Sequence, residues 1–234
     1  MTEEKKQAKR IQTSILNPYE KKALVYLAER MPSWVSSDML TFVGFLGSCI
    51  MAAGYILSNL NLHWLWLANF GLFVNWFGDS LDGSLARVRN QQRKTYGFFI
   101  DHSVDVINEV IMFIGVGCSP LVDMGVAMFA LVGYFMLSIS VYMNCHLRGE
   151  MQLTYAGLGP TEFRIILFMV NTLFIFIPWL SRWKYTVTVL GRDFSYGLFD
   201  YIALAISFAL IVFYIVGFFK DAKYYNTIDP PVKK

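Results

Sequence analysis

Six stretches of the chain, residues 39–58, 62–78, 98–118, 124–146, 165–180 and 201–219, run apolar with few charges and alternate with polar connections. Each approaches the roughly 20 residues that a helix needs to cross a bilayer. Only Asn59 to Asn61 separates the first two, which predicts a tight helical hairpin, and Ser119-Pro120 turns the third stretch into the fourth. Ahead of them, residues 17–34 (NPYEKKALVYLAERMPSW) put Ala23, Tyr26, Leu27 and Met31 on one helical stripe and Lys21, Lys22 and Arg30 on the polar side. That is the pattern of a helix lying in the membrane interface. The expected fold class is all-α: a polytopic membrane protein with six transmembrane helices and an N-terminal interfacial amphipathic helix. Residues 1–38 form the leading segment, 39–220 the membrane domain and 221–234 a tail.

Composition strengthens this picture. Of 234 residues, 56% are hydrophobic and 16% charged, and the mean hydropathy is +0.45, too apolar for an ordinary soluble domain. The net charge of +3 is modest and the basic residues are scattered, so no basic patch points to nucleic acid. Their placement orients the chain. Seventeen of the twenty Lys and Arg fall on one side of the six predicted spans; Arg182, Lys184 and Arg192 fall on the other. By the positive-inside rule both termini face the cytoplasm. No cleavable signal peptide is expected, because the first 38 residues are polar or amphipathic.

The three cysteines, Cys49, Cys118 and Cys145, lack framework spacing. Cys145 and His146 are neighbours on a helix, about 100° apart, which does not suit a ligand pair. Trp34, Trp64, Trp66, Trp76, Trp179 and Trp183 fall near span ends and read as interfacial belt residues.

Candidate chemistry gathers in GDSLDGSLARVRNQQRKTYGFFIDHSVD, Gly78 to Asp105. Asp79 and Asp82 are three residues apart on a helix leaving the second span, and Asp101 and Asp105 are four apart at the start of the third. Each pair shares a helix face. Opposed directions and a short connection predict that the two helices are neighbours. Four carboxylates converging there would repel by several kcal/mol at an effective dielectric of about 20 unless cations compensate. Oxygen ligands around one point describe a Mg²⁺ or Mn²⁺ site, and such ions commonly bind phosphates as well. A nucleotide diphosphate is the natural third party. Gly83 and Gly97 remove side chains where a ligand would approach. Arg87 is either a phosphate-gripping group or a positive-inside anchor, and the small Ala86 suits either close helix packing or the same ligand.

Asp79, Asp82, Gly83, Ala86, Arg87, Gly97, Asp101 and Asp105 together resemble the signature of the CDP-alcohol phosphotransferases, D-x-x-D-G-x-x-A-R, a spacer of eight or nine, then G-x-x-x-D-x-x-x-D. Here the spacer is nine residues, 88–96, and every signature position is filled. The resemblance implies a six-helix, commonly dimeric membrane enzyme that displaces CMP from a CDP-linked donor with an alcohol hydroxyl. It implies that Asp79, Asp82 and Asp101 carry the metal, two ions of Mg²⁺ or Mn²⁺, and that Asp105 joins the metal site or acts as general base. Asp82, Gly83, Ala86, Arg87 and Gly97 would then hold the CDP moiety. The local DHSVD also resembles the D-H-G-x-D of choline and ethanolamine phosphotransferases, which makes His102 an alternative base. Helix geometry turns His102 about 100° away from Asp101, favouring Asp105 for that task.

Glu109 extends the aspartate stripe one turn deeper and must be paired or water-facing. Arg148 and Arg164, in the connection 147–164, are either anchors or the site for an anionic acceptor; Gly-Pro-Thr-Glu within it reads as a helix N-terminus. His63 and His146 read as packing residues. The activity expected is transfer of a phosphatidyl group from CDP-diacylglycerol to a small polar alcohol. The alternatives are a CDP-choline or CDP-ethanolamine phosphotransferase acting on diacylglycerol, and a cation transporter, which acids gathered at one membrane edge do not favour.

Overall fold

The computed structural model describes residues 9–11, 14–152, 157, 159–189 and 192–231. Eight helices dominate it, and three of them, α2 (Ser37–Leu57), α5 (Met124–Arg148) and α8 (Leu198–Ile228), are long and apolar enough to cross a membrane. Of the other three expected spans, α3 (Leu65–Val88) and α4 (Lys94–Gly117) are longer than α2, but polar groups interrupt their apolar character. The remaining one, α6 (Pro160–Phe176), stops short where Pro178 opens the five-residue α7 (Pro178–Arg182).

Sequence-local signals start and stop these helices. Ser36 caps α2 by accepting from the Met39 N–H at 3.2 Å, and Asp123 caps α5 from Gly125 N at 2.8 Å. Gly149, at φ 66°, ends α5 in the left-handed conformation. The Gly159 N–H donates to Glu162 at 2.9 Å, so the Gly-Pro-Thr-Glu run does open a helix, α6. Asp200 accepts from Gly197 N and from Asp123 N, both at 2.7 Å, and so ties the start of α8 to the start of α5.

The predicted hairpin between the first two spans is present, and its packing is unusually close. A β-carbon at Gly47, Gly54, Gly71 or Gly78 would fall closer than 3.0 Å to the opposing backbone, so α2 and α3 meet main chain to main chain. Polar side chains finish the contact: Asn75 Nδ2 donates to Gly44 O and Ser48 Oγ, both at 3.1 Å. Tyr55 donates to Asn171 at 2.8 Å, and Asn171 to Asn69 at 2.9 Å, which fixes α6 to the same pair. The larger core, around Met51, Tyr55, Leu65 and Leu72, continues into Leu121, Phe174 and Phe199.

Three expectations need correction. First, α3 and α4, predicted to be neighbours, each lean on α2 and hardly on one another. Gly71 and Gly78 of α3 are taken up by α2, and α4 packs on α2 as well, with Gly115 against Ala52. Second, α1 (Asn17–Arg30) turns Leu24, Leu27, Ala28 and Met31 toward α3, while Ala23 and Tyr26 of the predicted stripe face outward. Third, Trp76 is more than a belt residue: its indole donates to Glu20 of α1 at 2.8 Å, and Thr161 donates to the same oxygen at 2.6 Å. Two small pairings, absent from the hydrophobic pattern, complete the fold. β1 (Lys9–Ile11) runs parallel to β2 (Glu150–Gln152), and β3 (Lys184–Val189) pairs antiparallel with β4 (Arg192–Gly197) between α7 and α8.

Candidate active site

Past the second apolar stretch, α3 continues without a break, so Asp79 and Asp82 stand on regular helix. Asp82 is 6% exposed. Its Oδ2 accepts from Thr41 Oγ1 at 2.6 Å, its Oδ1 from the Gly83 N–H, and its carbonyl from Ser37 Oγ at 2.8 Å. Ser37 and Thr41 were not singled out in the sequence; their signal is two hydroxyls four residues apart at the mouth of the first span, hence on one face of α2. Burial first, then the charges of Asp101 and Asp79, push the Asp82 carboxyl up to about 7, against the Thr41 hydrogen bond.

Asp79 takes a different partner. Arg164 of α6 donates to its Oδ2 at 2.6 Å and to Asn75 Oδ1 at 3.1 Å. Arg148, predicted beside Arg164 as an acceptor group, is held elsewhere. It pairs with Asp221, donates to Tyr225 Oη at 3.0 Å, and lies 4.0 Å above the Tyr224 ring, all on α8.

On α4, Asp101, His102 and Asp105 offer donor atoms that all lie within 4.8 Å of one another. His102, expected to point away, has Nδ1 3.3 Å from Asp101 Oδ2, with its ring between Phe98 and Tyr142 at centroid distances of 4.2 and 5.2 Å. The tilted stack overrides the ideal helical bearing. Asp79 and Asp82 lie outside this tight trio, yet Asp101 acts electrostatically on Asp82, and Asp79 on Asp105. Hard carboxylate oxygens with one imidazole fit a divalent cation.

Between the ends of α2, α3 and α4 opens a cleft of about 120 Å³. Asp82, Gly83, Ala86, Arg87, Gly97 and Asp101 line it, with Thr41, Ser37 and Lys94. A β-carbon at Gly97 would meet nothing within 4 Å, and one at Gly83 only the Arg87 guanidinium, at 3.3 Å. Packing within the chain does not require these two glycines, in contrast to those between α2 and α3. Their bareness widens the cleft. A broader hollow of about 430 Å³, formed by α1 alone around Lys21, Lys22 and Tyr26, brings no converging groups together.

A sequence profile for CDP-alcohol phosphatidyltransferase matches residues 34–213, most of the chain and all of the cleft. The chain belongs to the CDP-alcohol phosphatidyltransferase family. Among curated relatives it is 29% identical over 164 residues to an archaetidylinositol phosphate synthase of Pyrococcus horikoshii, an alignment covering 69% of this chain and 82% of that protein. It is 26% identical over 194 residues to cholinephosphotransferase 1 of Gallus gallus, covering 78% of this chain and 56% of that one. A phosphatidylinositol phosphate synthase of Cutibacterium acnes is 32% identical over 82 residues, covering 35% of this chain and 37% of that protein. As a family member with three helices fit to cross a bilayer, the protein is an integral membrane transferase. Its family acts on CDP-alcohol donors and alcohol acceptors.

Proposed function

We propose that the protein transfers a phosphatidyl group from CDP-diacylglycerol to a hydroxyl of a small polar alcohol and releases CMP. The observation that carries this reading is the cleft: six of the eight signature residues, drawn from both halves of the motif, line one cavity at the ends of α3 and α4. In it, Arg87 and the bare backbone at Gly83 and Gly97 receive the CDP moiety. Asp79, Asp82, Asp101 and Asp105 hold Mg²⁺ or Mn²⁺, as a pair of ions. When bound, the metal neutralises the charge of the diphosphate and of the departing CMP. His102 joins or supports that set, since its ring reaches Asp101.

The reaction forms one bond from the alcohol oxygen to the lipid-bearing phosphorus and breaks the bond from that phosphorus to the CMP oxygen. Asp105 takes the hydroxyl proton, with His102 as the alternative base. Arg164, tied to Asp79, offsets part of the negative charge collected there.

In this reading the less apolar α3, α4 and α6 cross beside α2, α5 and α8, and six spans put both termini and the cleft at the cytoplasmic face. The positions of seventeen of the twenty Lys and Arg support this orientation. The outward-facing Tyr26 and the lysines of α1 suit a helix resting on the bilayer surface, and a homodimer matches the family resemblance.

A second reading, with a CDP-linked amino alcohol as donor and diacylglycerol as acceptor, is favoured by the DHSVD sequence and by the similarity to cholinephosphotransferase 1. The deciding experiment measures CMP release by purified protein with Mg²⁺ or Mn²⁺. CDP-diacylglycerol plus a panel of alcohols is compared with CDP-choline or CDP-ethanolamine plus diacylglycerol. Release from the lipid donor supports the first reading; release from the water-soluble donors alone overturns it in favour of the second.

A further inference from the structure

The buried side-chain polar atoms without a hydrogen-bond partner among the described residues all sit on two turns of one helix. They are both ring nitrogens of His102, Oδ1 of Asn108 and Oε2 of Glu109, on α4. Buried polar groups are almost always paired, and leaving one unpaired costs about 1–3 kcal/mol. Such atoms would ordinarily be scattered or absent. His102 already belongs to the donor set beside Asp101. Asn108 and Glu109 lie outside the signature, and nothing in the transfer chemistry above employs them.

Their position says what they face. They follow Asp105 by three and four residues, which places both one helical turn inward of it, about 5 Å along the axis. Asn108 is 5% exposed. The Tyr134 hydroxyl of α5 donates to Glu109, and Oε2 remains open. Asp79 and Arg164 both act on Glu109 across the gap between helices, so the carboxylate faces the same interior as the signature aspartates. Arg164 is itself engaged by Asp79.

We propose that Asn108 and Glu109 form the subsite for the non-reacting end of the alcohol, and that this end is rich in O–H or N–H donors and carries no negative charge. Its donors satisfy Asn108 Oδ1 and Glu109 Oε2 while the reacting hydroxyl lies one turn outward, at Asp105. A hydrocarbon chain here would leave both oxygens unpaired, and a phosphate would bring acceptor oxygens against a carboxylate. The assignment rests on the phosphatidyl-transfer reading and deepens it.

The test offers CDP-diacylglycerol with inositol or ethanolamine, whose non-reacting ends bear donors and no negative charge, and with the anionic glycerol 3-phosphate or inositol phosphate. Turnover of the anionic alcohols alone overturns the subsite, and otherwise the better of the first two is carried forward. Glu109→Gln keeps shape and removes charge; Asn108→Leu keeps the branched shape and removes the amide. Each should raise KM for the alcohol about tenfold, the worth of one hydrogen bond to a charged or buried partner, and leave KM for CDP-diacylglycerol within about twofold. An analogue of the alcohol lacking one donor should be discriminated against by wild type and much less by Glu109→Gln, a change that a merely structural role would not produce. Equal losses toward both substrates, or unchanged discrimination, overturn the subsite while the transfer reading stands. Wild-type protein that releases no CMP from the lipid donor overturns the transfer reading, and the subsite with it.

Discussion

Arg164 on α6 reaches Asp79 on α3, Nη2 to Oδ2 at 2.6 Å, and with the same nitrogen touches Asn75 Oδ1 at 3.1 Å. One guanidinium thus joins the first aspartate of the signature to the asparagine that fastens α3 on α2. Removing it leaves a half-buried carboxylate without its cation, a loss of about 3–5 kcal/mol for a well-buried pair and less for this partly exposed one. Arg164→Met should reduce CMP release about a hundredfold and lower the thermal midpoint; Arg164→Lys should recover part of both, since it keeps the charge and loses the fork. Asp79→Asn combined with Arg164→Met should cost less in stability than the sum of the single changes.

Asp82→Asn should abolish turnover without unfolding the protein. An amide keeps an oxygen for Thr41 but loses the charge that a dication needs. Steady-state CMP release and a thermal melt on the same preparation check the two halves of this expectation. Retained activity would break the proposed metal role.

Stability without metal should fall as pH rises from about 4 to about 7. The folded chain holds a proton on Asp82 up to about 7, whereas an unfolded aspartate releases it near 4. Through that window the folded state binds more protons, so raising the pH favours unfolding. Mg²⁺ or Mn²⁺ requires the ionised carboxylate and should therefore raise the midpoint more at pH 8 than at pH 6. Melts with chelator and with metal across this range test the sign.

Arg148→Ala should lower stability by about 1–3 kcal/mol through the lost contacts with Asp221 and Tyr225. It should leave KM for the alcohol within about twofold. A large KM change would instead assign Arg148 to the acceptor site.

Two glycine substitutions should behave oppositely. Gly71→Ala forces a methyl into the Gly47 and Met51 backbone and should cost several kcal/mol or prevent folding, because main chain cannot step aside. Gly97→Ala meets open space and should leave the thermal midpoint nearly unchanged while slowing CMP release. Equal effects on folding would mean that the bare cleft wall plays no part in substrate access.

The helix positions were legible because long apolar runs and their caps are local properties. The lining of the cleft was legible because the signature concentrates its residues within one short stretch, Asp79 to Asp105. What the chain pattern did not disclose depends on tertiary contact. Thr41 matters because α2 happens to face Asp82, and Trp76 meets Glu20 through the packing of α1. The ring of His102 turns toward Asp101 because Phe98 and Tyr142 hold it there. Arg148 and Arg164 look alike in sequence, and only the neighbouring helices, α8 for one and α3 for the other, tell them apart.

Because α3 and α4 each rest on α2, the distance from Asp82 to Asp101 is gauged by a helix that contributes nothing to the signature. Of the nine residues joining the two halves, only 89–93 lie between α3 and α4, and these only have to bridge the gap, so one more or one fewer there changes slack and not alignment. This accounts for a signature that tolerates a spacer of eight or nine. A single residue inserted midway along α2 would instead swivel its glycine face by about 100° and pull the two halves of the motif out of register, with every aspartate still in place.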